Sequence, residues 1–270
     1  MLDAPATDGA VRETPRRRRS LAPREHGAYG ELAVPMLAAL ASGRPGLASV
    51  LLALSAWAVF LAHEPVLVLL ARRGPRVRLE EGPRAARRLA VLGGAAATLG
   101  AAGFLVAPLA ARWALLAPAV LGTAFAILVA LGRERSAVGE VLAAVALSSV
   151  AFPIAIASGA SPLEAVRAGC VWALGLSALV LPVRGIGAQR RSRGSPGATV
   201  LPALGACTLA AGLVGWIFVP MDLVALAPLI LASVWLATAP PGPRQLRRVG
   251  WSLVGSMLLT AGLLVLEKRS

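Results

Sequence analysis

Long apolar runs separated by short clusters of Arg, Pro and Gly set the pattern of this chain. Taken between those breakers, the runs predict nine helices, at roughly 25–42, 47–71, 89–109, 113–131, 137–158, 163–183, 198–219, 222–239 and 249–266. Each is close to the about 20 residues that a helix needs to cross a hydrocarbon core. The fold class is therefore all-α, a polytopic integral membrane bundle of about nine transmembrane helices. The count falls to eight if the first helix only lies in the interface. No internal repeat is visible, and nine spans do not divide into the paired inverted halves common in transporters.

Composition agrees. Of 270 residues 57% are hydrophobic and 15% charged, with a mean hydropathy of +0.73, whereas soluble domains carry about 25% charged residues. A soluble domain is excluded. In a soluble chain the net charge of +14 would suggest a nucleic-acid partner, but here the charge sorts by loop. Arg12, Arg16, Arg17, Arg18, Arg19 and Arg24 precede the first span, and seven Arg lie in the 72–88 loop. Arg133 and Arg135, then Arg184, Arg190, Arg191 and Arg193, then Arg244, Arg247 and Arg248 fall on the same side. Only Arg44, Arg112, Arg167, Lys268 and Arg269 fall on the other, a split of 22 to five. Cytoplasmic loops retain Lys and Arg, so this pattern predicts a membrane protein with its N-terminus in the cytoplasm and its C-terminus outside. The bilayer with its anionic headgroups is the expected partner, and nucleic acid is not.

Residues 1–23, poor in large apolar side chains, read as a disordered basic cytoplasmic tail drawn to anionic headgroups, and 24–270 as a single transmembrane domain. The stretch RRRRSLAP resembles a twin-arginine export signal, yet eight more spans follow, which favours an uncleaved first helix. Cys170 and Cys207 sit inside apolar runs without disulfide or metal spacing and read as small core residues.

A charge at the bilayer centre costs about 2.5 to 3.5 kcal/mol on insertion scales, so ionisable residues inside spans are functional candidates. They are Glu31 in span 1, His63 and Glu64 in span 2 and Glu140 in span 5, with Arg24, Glu25 and His26 at the mouth of span 1. At 1.5 Å per residue from Arg24, Arg72 and Arg135, Glu31 lies about 10 Å deep, His63 and Glu64 about 12 to 14 Å, and Glu140 about 7 to 8 Å. Three helices thus carry a carboxylate in one inner layer. The outer half shows no deep carboxylate apart from Glu164 near its edge. Pro65 withholds a backbone donor from the Leu61 carbonyl, and Pro35 does the same to Glu31. Glu31 and Glu64 therefore each neighbour a freed carbonyl, as in the broken helices that line membrane cavities. Gly27 and Gly30 permit close approach near His26, and Gly93, Gly94, Gly100 and Gly103 give span 3 a thin packing surface. The structural alternative is that Glu25, Glu31 and Glu140 pair with loop Arg residues such as Arg24 or Arg133 and serve topology alone.

His26 and His63 with Glu31 and Glu64 form a mixed N and O set to which a divalent cation could bind, but no spacing selects a particular metal. A bis-histidine haem would need both His residues to face one cavity at matching depth. Phosphate-binding Gly loops, zinc-protease signatures and nucleophile triads are missing from the sequence.

The opening PREHGAYGELAVPMLAAL and the AHEPVLVLLARR run of span 2 resemble the YwiC-like family of bacterial membrane proteins. In that family a Pro, basic, Glu, His, Gly, Ala sequence opens the first membrane helix, matched here by Pro23, Arg24, Glu25, His26, Gly27 and Ala28. The resemblance is specific over roughly the first 70 residues. It implies a polytopic membrane protein without an assigned reaction, and it promotes Glu25 and His26 to expected site residues. A weaker, architectural resemblance is to UbiA-type prenyltransferases, which imply nine helices around a cytoplasm-facing cavity and Asp-rich motifs that hold Mg²⁺ on a diphosphate. Here the Asp residues are Asp3, Asp8 and Asp222, none at those positions.

Three readings follow. The first is a membrane-embedded binding or catalytic protein, with Glu25, His26, Glu31, His63, Glu64 and Glu140 around one cytoplasm-opening cavity. Glu64 would hold a cation or take a proton, and His63 and His26 would shuttle protons or ligate. Arg24, Arg133 and Arg184 would attract a small or lipid-like anionic headgroup or diphosphate. The second is a transporter of protons, metal ions or a small solute; the third is a structural subunit. Sequence alone leaves open whether the protein is an enzyme.

Overall fold

The computed structural model describes residues 20–23, 26–189, 220–239 and 246–267. The expected span at 198–219, Arg24 and Glu25, and residues 1–19 of the expected tail lie outside the described residues. Ten helices are described: α1 (His26–Ala41), α2 (Leu47–Leu69), α3 (Pro75–Val106), α4 (Leu109–Ala114), α5 (Leu116–Ala130), α6 (Ala137–Ser149), α7 (Ala151–Ala157), α8 (Pro162–Gln189), α9 (Pro220–Thr238) and α10 (Leu246–Glu267). With α4–α5 and α6–α7 each counted as one stretch, seven stretches among the described residues are long and apolar enough to cross a membrane, and Gly27–Ala41 is a shorter apolar helix. The described residues form helices and no strand, and the chain is a multi-pass membrane protein.

Two expected spans are interrupted, and proline explains both. Pro118 leaves the Ala114 carbonyl without its i+4 donor where α4 gives way to α5, and Pro153 does the same to Ser149 between α6 and α7. The Arg-rich stretch 72–88, expected as a loop, is instead helical from Pro75. Gly74 takes a positive φ of 101°, Pro75 is pre-set for the first helical position, and the Arg, Leu, Glu and Ala that follow are good helix formers. This extension is anchored where Leu21, Val68 and Ala85 bury one another, with Leu69 and Val77 packed against them. Leu21, at the end of the expected tail, is therefore part of the folded body.

α3 lies along α2. The Ser55 hydroxyl donates to the Ala96 carbonyl at 2.8 Å, and Leu52 packs so tightly on Gly103 that a Cβ there would meet it at 3.0 Å. Of the four span-3 glycines, Gly100 and Gly103 meet α2 while Gly93 and Gly94 face open space. The C-terminal carbonyls of α3 are satisfied by Arg112, which donates to Ala107 at 2.9 Å and Leu105 at 2.7 Å.

One apolar core joins Val34 and Ala38 of α1 to Trp172 and Leu176 of α8, Leu226 and Leu229 of α9, and Met257 and Leu264 of α10. A second joins Met36 and Ala39 to Leu52 of α2, Ala111 of α4 and Ile154 of α7. α1 is thus shared by both. Exposed Trp113, Trp235 and Trp251 sit near helix ends, where amphipathic rings settle at the membrane–water boundary.

Helix directions follow from contacts. Gly30 meets Met257, while Pro35 and Ala38 line a crevice with Leu264, so α1 and α10 run parallel. Arg167 meets Asp222, Gly175 meets Leu226 and Leu229, and the Ser233 hydroxyl donates to the Ala178 carbonyl at 2.6 Å, so α8 and α9 are parallel too. The face at which α1 begins carries Arg72, Arg133 and Arg184 and is called the basic face below.

At the opposite face the α1–α2 turn is pinned to the end of α7 by the Arg44 N–H, which donates to the Ser158 carbonyl at 2.8 Å. A Cβ on Gly43 would overlap that carbonyl oxygen and lie 2.9 Å from its carbon. Gly43→Ala is therefore expected to cost roughly 1–3 kcal/mol, read as a lower thermal midpoint in detergent. Gly46→Ala, with no atom within 4 Å of the new Cβ, should leave the midpoint unchanged.

Candidate functional site

On the basic face Glu64 is 2% exposed, one turn beyond Phe60 on the inward side of α2. Arg73, in the turn between α2 and α3, meets it with both arms of its guanidinium: Nε donates to Oε1 at 2.9 Å and Nη2 to Oε2 at 2.6 Å. This fork-to-fork geometry is the strongest way to hold a carboxylate, and it offsets the cost of taking both charges out of water. Pro65 and the turn beyond Leu69 let the chain double back so that residue 73 reaches residue 64.

The neighbouring expected residues point elsewhere. His63 stacks on Phe125 of α5, with ring centroids 5.7 Å apart and planes tilted by 33°. Next to it the Arg72 guanidinium donates to the Ala130 carbonyl at the end of α5, where the left-handed Gly132 leaves room for it. Glu140 lies in the first turn of α6, behind the Ser136 N-cap, whose hydroxyl accepts from the Gly139 N–H at 3.0 Å. It pairs with Arg184 of α8 at 3.1 Å, and Arg184 also donates to the Arg135 carbonyl at 2.7 Å. Both partners of that pair are 38% exposed, so it contributes little to stability. Arg133 is exposed in the α5–α6 turn.

Glu31 is half-buried on α1. Two residues earlier Tyr29 packs edge-on against Phe60 of α2, with centroids 4.9 Å apart, and lies 6.2 Å from Trp57. Two residues correspond to about 200° around a helix, so Glu31 projects from the side of α1 opposite α2 and Glu64. Pro35 and Ala38, one and two turns further along the same stripe, line the crevice with Trp172 and Leu264. His26 is the first residue of α1. Of the expected site residues, the structure brings Glu140 and Arg184 together and gives Glu64 a partner from outside the expected set. Among the described residues no three His, Cys, Asp or Glu side chains gather to hold a metal ion.

The opposite face holds charges that the residue pattern did not single out. Asp222, 2% exposed, accepts from Arg167 Nε at 2.8 Å and pairs with Nη2 at 2.6 Å. The same Nη2 meets Glu267 at 3.0 Å. One guanidinium thus ties together α8, α9 and α10. Asp222 stands in the first turn of α9, buried at a helix end, whereas Glu164 is exposed and caps α8 through the Ser161 N–H at 2.9 Å. A signal was present: Arg167, Asp222 and Glu267 each stand at the same predicted end of an apolar run, with opposite charges. Arg73 left a fainter trace as one of seven Arg in a single stretch.

A crevice among Pro35, Ala38, Ser42, Ala155, Trp172 and Leu264 has a volume of about 20 Å³, room for one water molecule. It lies toward the opposite face and is mostly apolar.

No curated protein and no solved structure matches the chain. The sequence pattern described as "YwiC-like protein" matches residues 22–156, from the segment holding Leu21's neighbour Ala22 through α7, and so includes Glu31, His63, Glu64, Arg73 and Glu140. On that match the chain belongs to the YwiC-like family.

Proposed function

We propose that this is an inner-membrane protein whose cytoplasmic face binds an anionic headgroup or diphosphate-type ligand, with Arg73 as the principal anion-binding group and Glu64 as its resting partner. The observation that carries the reading is the bidentate Arg73–Glu64 pair. A guanidinium fork that matches a carboxylate matches a phosphate equally well, and Arg73 is 17% exposed where Glu64 is 2%. An arriving phosphate therefore meets the guanidinium first. Arg72, Arg133 and Arg184 raise the local positive potential, and Arg24, Glu25 and His26 belong to the segment leading into the same face. Glu31 and Glu140 are the remaining carboxylates of that layer.

Nine crossings with a cytoplasmic N-terminus fit the reading. The nine apolar runs of the sequence and the parallel course of α8 and α9 support that number. The Arg distribution supports the orientation.

The test is binding of inorganic pyrophosphate, and of phosphatidylglycerol against phosphatidylcholine in nanodiscs, by the full chain. Arg73→Gln is expected to weaken anion binding at least tenfold, whereas Glu64→Gln, which removes the competing carboxylate charge, is expected to tighten it. Weaker anion binding in Glu64→Gln, or no change in Arg73→Gln, would reject the assignment.

One observation favours a second reading, a transporter of protons, metal ions or a small solute. The Arg167–Asp222–Glu267 cluster supplies buried charge at the outer end, complementing the inner layer. Solute flux into proteoliposomes that disappears in both Glu64→Gln and Asp222→Asn would establish it.

A further inference from the structure

Arg72 and Arg73 are neighbours in sequence, but their side chains part. Arg73 turns inward to Glu64, whereas Arg72 reaches across to α5 and donates to the Ala130 carbonyl. It lies in the space that Gly132 leaves, where a Cβ would stand 2.7 Å from Nη1. These contacts hold the guanidinium in place without neutralising it. Among the described residues neither Arg72 nor Arg133, exposed in the adjoining turn, has a carboxylate partner. A fixed, exposed guanidinium with one of its five donors used keeps the others for an anion.

Away from the basic face, the seam between α2 and α5 opens. Toward the opposite face Leu52 shares a core with Ala111 and Ala114 of α4, further in His63 stacks on Phe125 at 5.7 Å, and at the basic face Arg72 meets Ala130. α2 and α4–α5 therefore run parallel. Between the first two contacts lies Pro118, where α4 gives way to α5, and there the helices separate. Val59, one turn before His63 on its stripe, is 60% exposed, and Gly122, one turn before Phe125, has no atom within 4 Å of where a Cβ would stand. The stacked rings make these two stripes face each other, so Val59 and Gly122 border one gap. Leu70 of α2 and Ile127 of α5 are exposed along the way from Arg72 to it. Arg72 and His63 are about 13 Å apart along the chain's helical rise, close to one leaflet's share of the hydrocarbon core, about 15 Å.

We propose that this seam binds one anionic phospholipid of the leaflet at the basic face, its phosphate on Arg72 and Arg133 and one acyl chain laid along α2 and α5 with its end in the gap between Val59 and Gly122. Charge chooses the headgroup: two arginines without a carboxylate leave positive charge that a net-negative lipid compensates and a zwitterionic one does not. The gap chooses a chain. A soluble phosphate would satisfy the guanidinium but leave the apolar gap unfilled, whereas a chain anchored at Arg72 ends beside it and packs there. The site shares the basic face with the Arg73–Glu64 pair but none of its groups, so the two assignments stand or fall separately.

The test is native mass spectrometry of the full chain in detergent, titrated with dioleoyl-phosphatidylglycerol or dioleoyl-phosphatidylcholine, with inorganic pyrophosphate as the probe that has no chain. A phosphatidylglycerol is expected to stay bound under conditions that strip phosphatidylcholine. Its affinity should fall at least tenfold in Arg72→Gln and in Gly122→Leu, and also for dihexanoyl-phosphatidylglycerol, which carries the same headgroup on short chains. The Gly122→Leu side chain enters open space, so this variant should keep the parent's thermal midpoint and its pyrophosphate binding. Arg73→Gln, which weakens pyrophosphate binding, should leave the Gly122-sensitive lipid in place. Equal retention of the two lipids, or undiminished phosphatidylglycerol binding in Gly122→Leu, would overturn the proposal and show that the seam holds ordinary bilayer lipid.

Discussion

Arg73→Ala is expected to destabilise the protein by about 3 to 5 kcal/mol, because it leaves the Glu64 carboxylate buried with its positive partner removed. The pair is worth less than this figure: much of the loss is the cost of an uncompensated buried charge. The double replacement Glu64→Leu with Arg73→Met removes both charges at similar volume and should therefore recover most of the stability lost in the single variant. Unfolding followed by intrinsic tryptophan fluorescence in mild detergent distinguishes the cases. A single variant as stable as the parent would mean that water or another cation already reaches Glu64. The experiment also separates structure from function, since the double variant should fold yet fail to bind pyrophosphate.

The second large effect is expected at the opposite face. Arg167→Ala removes the cation shared by Asp222 and Glu267, leaving Asp222 buried at 2% exposure without it. A loss of about 3 to 5 kcal/mol is expected here too. The two carboxylates should respond differently on their own. Glu267 is 25% exposed and can turn to water, so Glu267→Gln should cost less than about 1 kcal/mol. Asp222→Asn retains hydrogen bonding to Arg167 but removes the charge, and should fall between the two. If all three variants melt together with the parent, the cluster is solvated and carries no structural weight. Because Arg167 joins three helices, its loss should also make the ends of α8, α9 and α10 more susceptible to added protease.

Much of the architecture was legible in the sequence because the bilayer imposes a one-dimensional rule: apolar runs of about 20 residues must be helices, since lipid cannot satisfy a backbone donor or acceptor. Runs near 47–71, 222–239 and 249–266 appear as α2, α9 and α10 with small changes at their ends. The rule is weaker where apolar length is not the deciding quantity. Pro118 and Pro153 left the apolar runs unbroken but not the hydrogen-bond ladder, so α4–α5 and α6–α7 divide. The Arg-rich segment before span 3 carried a loop-like composition, yet its helix formers and the packing of Val77 and Ala85 on α2 extend α3 back to Pro75.

The expected layer of ionisable residues shows the same division. Depth along a helix is fixed by residue count, so the sequence could place Glu31, Glu64 and Glu140 in one half of the membrane. The direction in which each points depends on which neighbour each helix meets. Tyr29 against Phe60 turns Glu31 away from Glu64, and the fold of the α2–α3 turn gives Glu64 to Arg73.

The amino-acid order by itself determined that this protein is a multi-pass helical membrane protein, that its Arg residues favour one face, and that its N-terminal motif places it with the YwiC-like family. These follow from local properties, namely hydrophobic length, charge per loop and a short contiguous motif. Only the tertiary structure decided which charges pair, that Arg167 joins α8 to α9 and α10, and that the Thr260 hydroxyl is buried without a hydrogen-bond partner. Those outcomes depend on helix rotation and on contacts between residues up to 100 positions apart. In a bundle whose surfaces are apolar almost everywhere, a few close glycine contacts and ion pairs choose among many rotations that hydrophobicity alone leaves nearly equal in energy.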